Sequence, residues 1–294
     1  MNIDFTKMQS AGNDFVLVED NGLIEDYPAF ARFACDRHFG IGADGILVLT
    51  GDEDADVGMR MFNPDGSEAE ACGNGLRCLA KYSFDNGFAT GKTMTIATIA
   101  GVREARIVEN SAENTIIETS MGKPSFHAGE IPVLTGEAQP VQVFDITVFL
   151  DYPLTVDNFE LKLALASMGN PHAVYFTKGS VKDFPLTSIG PQVENSAIFP
   201  QKTNFEVVRV IDRNHVEARV WERGAGETLA CGSGAAAIGV LSQLAGFTDN
   251  PVTVSLPGGN LEVTWSNPGE VYVKGKPVTV FSGQLLNVNF DIRG

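Results

Sequence analysis

The sequence is poor in the features that mark nucleic-acid binders, membrane proteins and disulfide scaffolds. Its 21 Lys and Arg are outnumbered by 37 Asp and Glu, and the net charge of −16 is spread along the 294 residues rather than gathered in a tail. A nucleic acid or an anionic membrane needs a basic patch, so neither is expected as a partner. The charge fits simple solubility. No apolar run is long enough to span a bilayer. The first residues, Met-Asn-Ile-Asp-Phe-Thr-Lys, have neither a basic stretch nor an apolar one, so no signal peptide is expected. The four cysteines, Cys35, Cys72, Cys78 and Cys231, are too sparse for a disulfide framework and suit a reducing cytoplasm. Cys72 and Cys78 are six apart, and His38, His127, His172 and His215 form no His-x-x-x-His pair, so no protein-bound metal is expected.

Short β-type runs dominate what is present: "GILVLT", "VGMRMF" and "TMTIATI" in the first half, "FEVVRVI", "HVEARVW", "VTVSL" and "LEVTW" in the second. "RVIDRNHVEARVW" predicts a hairpin turning at Asp212-Arg213-Asn214. Two stretches predict long helices. "NGLRCLAKYSFDNG" spaces Leu76, Leu79, Ala80 and Phe84 helically and ends at Gly87, while "SGAAAIGVLSQLAGF" is apolar almost all round. A helix without a polar face must be buried on every side, and among so many strands that implies a helix threaded through a curled sheet. The length allows two cores. Gly and Pro gather at 129–140, the best candidate boundary, which divides the chain into 1–126 and 127–276.

Each predicted helix begins immediately after a cysteine signature, "ACGNG" at Ala71–Gly75 and "ACGSG" at Ala230–Gly234. Shifting the chain by 159 positions lays "RMFNPDGSEAEACGNG" over "RVWERGAGETLACGSG" without a gap, matching Arg60 to Arg219, Phe62 to Trp221 and Glu68 to Glu227. A looser echo pairs Gly12-Asn13 with Gly169-Asn170. The chain thus reads as two copies of one domain. A cysteine at a helix start sits where backbone N–H groups and the helix dipole favour a thiolate, and flanking glycines let an anion approach closely. Two such thiols suit inversion of a stereocentre, one removing an α-proton while the other supplies a proton to the opposite face. An amino-acid α-proton is at least about ten pKa units less acidic than a thiol, a gap of about 14 kcal/mol. Two helix N-termini aimed at the substrate carboxylate would stabilise the charge that develops, and domain closure would exclude water.

The segments "KMQSAGNDFV", "RHFGIGADG", "MFNPDGSEAEACGNGLRC", "MGNPHAV", "WERGAGETLACGSGAAA" and "LPGGNLEV", running from residue 7 to about 263, resemble the diaminopimelate epimerases, within the wider group of cofactor-independent amino-acid racemases. The resemblance implies an α+β fold of two pseudo-symmetric domains, each a mixed, mostly antiparallel barrel-like sheet around a central helix, with the strand at 277–294 returning to the first domain. It implies Cys72 and Cys231 as the acid–base pair, with the amides of Gly73, Asn74, Gly232 and Ser233 on the reacting carboxylate. The distal end of diaminopimelate would be gripped by Asn63, Asn170, Asn204 and Arg223, with Asn13 and Glu222 lining the site. His172 and Glu222 match positions that tune the two thiols. No cofactor is implied, and the partner is a small amino-acid substrate. Gly45 falls where some relatives carry glutamine, Gln9-Ser10 replaces a common His-Gly, and 141–165 matches nothing in the family pattern.

Other readings remain open at this level. The same chemistry could serve histidine or another amino acid. Two thiols could also serve thiol–disulfide exchange, and a binding protein is the weakest option. A pyridoxal phosphate racemase is disfavoured, because no lysine lies in a comparable duplicated context. Gly40-x-Gly42-x-x-Gly45 fits a dinucleotide fingerprint but precedes a strand instead of joining strand to helix. Cys35 and Cys78 read as core residues. His172 reads as a loop histidine as readily as a catalytic helper. A symmetric homodimer is the default assembly.

Overall fold

The computed structural model describes residues 2–69, 72–111 and 114–286. The chain divides into two compact units: residues up to Ser120 together with those from Lys274 onward, and Met121–Val273.

The first unit opens with the hairpin β1 (Ile3–Ser10) and β2 (Asn13–Glu19), turned by Ala11 and Gly12 at φ of 52° and 80°. Both central residues at positive φ match the twist of the flanking strands, and glycine takes that conformation freely. α1 (Tyr27–Ala34) starts where the Asp26 carboxylate accepts from Ala29 N–H at 2.8 Å. β3 (Gly45–Thr50), β4 (Val57–Phe62), β5 (Glu68–Ala69), α2 (Gly73–Asp85), β6 (Thr93–Thr98), β7 (Gly101–Asn110) and β8 (Thr115–Ser120) follow. The second unit contains a separate ribbon, β9 (Val141–Val143) with β10 (Ile146–Val148), then β11 (Tyr152–Val156), β12 (Phe159–Ser167) and β13 (Pro171–Phe176). It continues through α3 (Leu186–Glu194), β14 (Asn204–Asp212), β15 (His215–Glu222), β16 (Gly226–Thr228), α4 (Gly232–Leu244), β17 (Val252–Leu256) and β18 (Gly259–Trp265), and β19 (Val271–Gly275) leads out of it. β20 (Pro277–Leu285) then pairs antiparallel with β1 in the first unit.

The two units repeat one topology. β2 with β3 and β13 with β14 are parallel, each pair bridged by a short helix, while β3 with β4 and β14 with β15 are antiparallel. β4 then pairs parallel with β6, as β15 does with β17. Phe62 opposes Glu68 in one copy and Trp221 opposes Glu227 in the other. Even the flanking ion pairs coincide: Arg60 Nε lies 2.7 Å from Glu68 Oε1, and Arg219 Nε lies 2.8 Å from Glu227 Oε1. β2 and β3 are near-continuous apolar runs because both faces of this parallel pair are covered. α2 lies on one face with Leu17, Leu47, Leu76 and Leu79, and α1 on the other with Val16, Val48 and Phe30.

Both central helices pack against strands around their circumference: α2 against β1, β2, β3, β4, β6, β7, β8 and β20, and α4 against β12, β13, β14, β17 and β18. They also end alike. Gly87 and Gly246 take φ of 77° and 73°, and the following Phe88 and Phe247 donate to Ser83 O and Ser242 O, both at 2.9 Å.

The first unit ends nearer Ser120 than the Gly and Pro cluster suggests. Ser125 and Ser167 exchange backbone bonds of 2.9 and 2.8 Å, which ties 121–127 to β12, and Ile131 and Val133 are buried in the second unit's core. The unplaced stretch 141–165 supplies the ribbon and β11. β11 covers the edge of β12 as β20 covers that of β1. Two short helices, α1 and α3, escape sequence reasoning.

Close helix–sheet packing generates a stability prediction. A Cβ on Gly239 of α4 would lie 2.5 Å from Val263 Cγ1 and 2.8 Å from its Cβ. Gly239→Ala is expected to destabilise the protein by about 1–3 kcal/mol through overpacking. The urea midpoint should fall at unchanged slope.

Candidate active site

Cys72 and Cys231 are the N-cap residues of α2 and α4. Their backbones are extended, at φ −136°, ψ 120° and φ −119°, ψ 121°, and each carbonyl accepts the first helical bond, from Leu76 N–H at 2.8 Å and Ala235 N–H at 2.9 Å. The N–H groups between have no carbonyl one turn earlier, so they are the natural donors for an anion. Glycines flank the position for a steric reason. A Cβ on Gly75 would lie 3.0 Å from Leu47 Cδ2, and one on Gly234 would lie 3.0 Å from Glu206 Oε1 and 3.2 Å from Cys231 Cβ.

Around Cys72 the first unit assembles Asn13, Gly73 and Asn74. Cys72 Sγ lies 3.5 Å from Asn13 Oδ1, which also accepts from Asn74 Nδ2 at 3.3 Å. Asn13 Nδ2 donates to Asp44 Oδ2 at 2.9 Å. Asp44 and Asp14 share Arg37, and Lys7 Nζ lies 2.6 Å from Asp14 Oδ2. Burial opposes ionisation of Asp14, yet bonds from Arg37 and Lys7 hold its carboxyl down at about 2. Behind Asn74, the wholly buried Arg77 donates to its Oδ1. Asn63 sits at the β4–β5 turn, where its Nδ2 donates to Ser67 Oγ at 2.9 Å. Gly45 packs its Cα against the Phe62 carbonyl, and a Cβ there would lie 2.9 Å from that oxygen.

Around Cys231 the second unit assembles Asn170, His172, Asn204, Glu222, Arg223, Gly232 and Ser233. Cys231 Sγ lies 3.4 Å from Ser233 Oγ and accepts from Gly234 N–H at 3.4 Å. Asn170 Nδ2 donates to Ser233 Oγ at 3.3 Å, and Asn170 Oδ1 lies 2.9 Å from His172 Nε2. The other ring nitrogen, Nδ1, is 2.7 Å from Glu206 Oε1, in a fully buried pair. Burial raises the Glu206 carboxyl, opposed by His172. Burial also pushes the Cys231 thiol well above its ordinary value, with the charges of Glu222 and Glu206 adding to it. Glu222 Oε1 accepts from Thr228 Oγ1. Asn204 is buried. Its Oδ1 accepts from Arg223 N–H at 2.9 Å and its Nδ2 donates to Pro171 O at 2.8 Å, so it braces the two loops that carry Arg223 and Asn170. The Arg223 side chain is exposed and donates to Gln201 O at 3.1 Å.

Sequence reasoning missed Glu206, Thr228 and Arg77. The signal for Glu206 is a lone carboxylate in the apolar strand "NFEVV", and for Arg77 a lone cation in the apolar stretch "GLRCLA". Cys35 and Cys78 are core residues, Cys35 pushed up to about 12 by burial and Cys78 further. Among the described residues no three His, Cys, Asp or Glu side chains gather as a metal-binding group. Nor is any helix among them long and apolar enough to cross a membrane.

Comparison with known proteins identifies the family. The Diaminopimelate epimerase family matches residues 5–127 and 164–280, leaving out the stretch that supplies β9, β10 and β11. The diaminopimelate epimerase of Acetivibrio thermocellus is 42% identical over 283 residues, covering 96% of this chain and 98% of that protein. That of Desulfovibrio desulfuricans is 44% identical over 287 residues, covering 95% and 97%. Among solved structures, a probable proline racemase from Agrobacterium radiobacter K84 superposes with a TM-score of 0.72 at 14% identity, covering 99% of this chain and 94% of that one, a likeness of fold alone. Family match and near full-length identity together show that the chain belongs to the diaminopimelate epimerase family and is, as an epimerase, an isomerase.

Proposed function

We propose that the protein interconverts the LL and meso forms of 2,6-diaminopimelate by two-thiol proton transfer at Cα, within lysine and peptidoglycan precursor synthesis. The observation that carries the reading is the pair of N-cap cysteines at matching points of two copies of one topology. In this reading one thiolate removes the α-proton and the other thiol protonates the opposite face. The amides of Gly73, Asn74, Gly232 and Ser233 hold the reacting carboxylate and stabilise the charge that develops on it. Asn63, Asn170, Asn204 and Arg223 hold the distal end, with Asn13 and Glu222 lining the site, and Asn204 also braces Arg223 and the 170–172 loop. His172 and Glu222 tune the two thiols, and the charge of Glu222 acting on Cys231 supports this. The four free cysteines support a cytoplasmic setting, and a homodimer is the assembly proposed.

Incubation with either isomer in heavy water should place deuterium at Cα without added cofactor, read by mass spectrometry. Absence of exchange rejects the mechanism. Equal turnover of histidine would move the substrate to another amino acid.

Cys72→Ala and Cys231→Ala should each lower stereoinversion by about 10²- to 10⁴-fold, the range for a positioned acid or base. Only the epimerase reading predicts loss of stereoinversion in each variant; a thiol–disulfide role does not.

Arg223→Ala should raise KM for diaminopimelate about tenfold or more, the loss of a charge-assisted bond to a carboxylate. A substrate lacking the distal carboxylate should be nearly indifferent to the change in steady-state kinetics.

A further inference from the structure

The two thiols do not have matching surroundings. Arg77 lies five residues after Cys72 on α2 and is wholly buried. Its guanidinium donates to Ser10 Oγ at 3.2 Å, to Thr119 Oγ1 at 3.3 Å and to Asn74 Oδ1, all uncharged acceptors. Among the described residues no carboxylate pairs with it. Burial pulls Arg77 down to about 10, which still leaves it protonated at neutral pH. Burying a cation without a counter-ion carries a heavy penalty, so an anion close to Arg77 would relieve it.

Among the described residues the acidic groups acting on Arg77 are Cys72 and Cys78. Cys78 is sealed in the core and its thiol is raised by burial, whereas Cys72 is half-buried at the helix N-terminus. Of the other carboxylates on the elements around α2, Asp4, Glu104 and Glu109 are exposed to solvent and the rest are engaged. Asp14 and Asp44 are held by Lys7 and Arg37, Glu118 by Arg106 and Lys274, Asp85 by Lys81, and Glu19 accepts from Tyr82 Oη. The corresponding residue of α4, 159 positions on, is Ala236. Cys231 is surrounded instead by Glu222 and the His172–Glu206 pair.

We propose that Arg77 is the buried counter-ion of a Cys72 thiolate, so that in the substrate-free protein Cys72 is the base and Cys231 holds the proton. This deepens the two-thiol reading and rests on it. Arg77 is a positioning residue, acting through the thiolate and Asn74 without touching substrate. Starting from this form, Cys72 Sγ⁻ takes the α-proton and becomes a thiol. Cys231 gives its proton to the opposite face and becomes the thiolate, so the count of protons is unchanged. The product-side form has its negative charge on the thiol that faces carboxylates. Exchange of protons with solvent then restores the form favoured by Arg77.

The test is the pH dependence of iodoacetamide alkylation in substrate-free protein, resolved by peptide mass spectrometry. The midpoint of each profile, not its rate, separates ionisation from access. In the unmodified protein Cys72 should titrate below Cys231. Arg77→Gln should raise the Cys72 midpoint by about one to three pH units, cutting its thiolate fraction at neutral pH about tenfold or more, and leave Cys231 unmoved. Arg77→Lys, which keeps the charge, should preserve most of the lowering. The proposal is overturned if Cys72 titrates at or above Cys231 in the unmodified protein, a measurement that stands even if Arg77→Gln does not fold. It is equally overturned if Arg77→Gln leaves the Cys72 midpoint in place. Alkylation is read without turnover, so its failure is distinct from a failure of heavy-water exchange.

Discussion

A helix buried inside a sheet cannot hand its first N–H groups to water, and this constraint shapes the whole molecule. In α2 and α4 the residues of the first turn are buried or nearly so, and the backbone arrives from an extended cysteine. Strands on every side leave little room, which accounts for the glycines at the helix starts and for the alanine-rich face of α4. The N-terminal amides are therefore concentrated beside a thiol in a place of low dielectric. There an anion interacts more strongly with them than it would in water.

What the duplication kept and what it changed fall in different places. The frame is kept: register, parallel and antiparallel pairings, the Arg–Glu pair beside each signature and the glycine after each helix. The floor under each thiol is changed. By strand register Phe15 and Leu47 of the first unit correspond to His172 and Glu206 of the second, and Arg77 to Ala236. An apolar floor with one buried cation has become a polar floor with a buried imidazole–carboxylate pair. Each set is contained within one unit and hydrogen-bonded there, Arg77 to uncharged acceptors and His172 to Glu206, while Glu206 Oε2 is buried without a hydrogen-bond partner among the described residues.

Much of this was legible in the sequence, because repetition and periodicity are local signals. The strands "GILVLT" and "VTVSL", the turn beside Asp212 and both long helices follow from pattern and turn chemistry alone. So does the placing of Cys72 and Cys231 at helix starts. α1 and α3 were not legible, being short connectors whose apolar faces read as loop. Nor was the role of 141–165, since the need for β11 arises from an open edge on β12 that only the folded sheet reveals. Glu206 and Arg77 escaped for a related reason. Their partners His172, Ser10, Asn74 and Thr119 are brought to them by strand pairing or helix packing, not by spacing along the chain.

The route of β20 has a consequence for biosynthesis. Met121–Val273 is one uninterrupted stretch, whereas the first unit closes β1 with a strand that leaves the ribosome only after that whole stretch has been made. Domains fold as their residues emerge. The half of the molecule translated first is thus the half finished last. Until the 277–285 strand arrives, the edge of β1 waits uncovered, an open template for any passing strand.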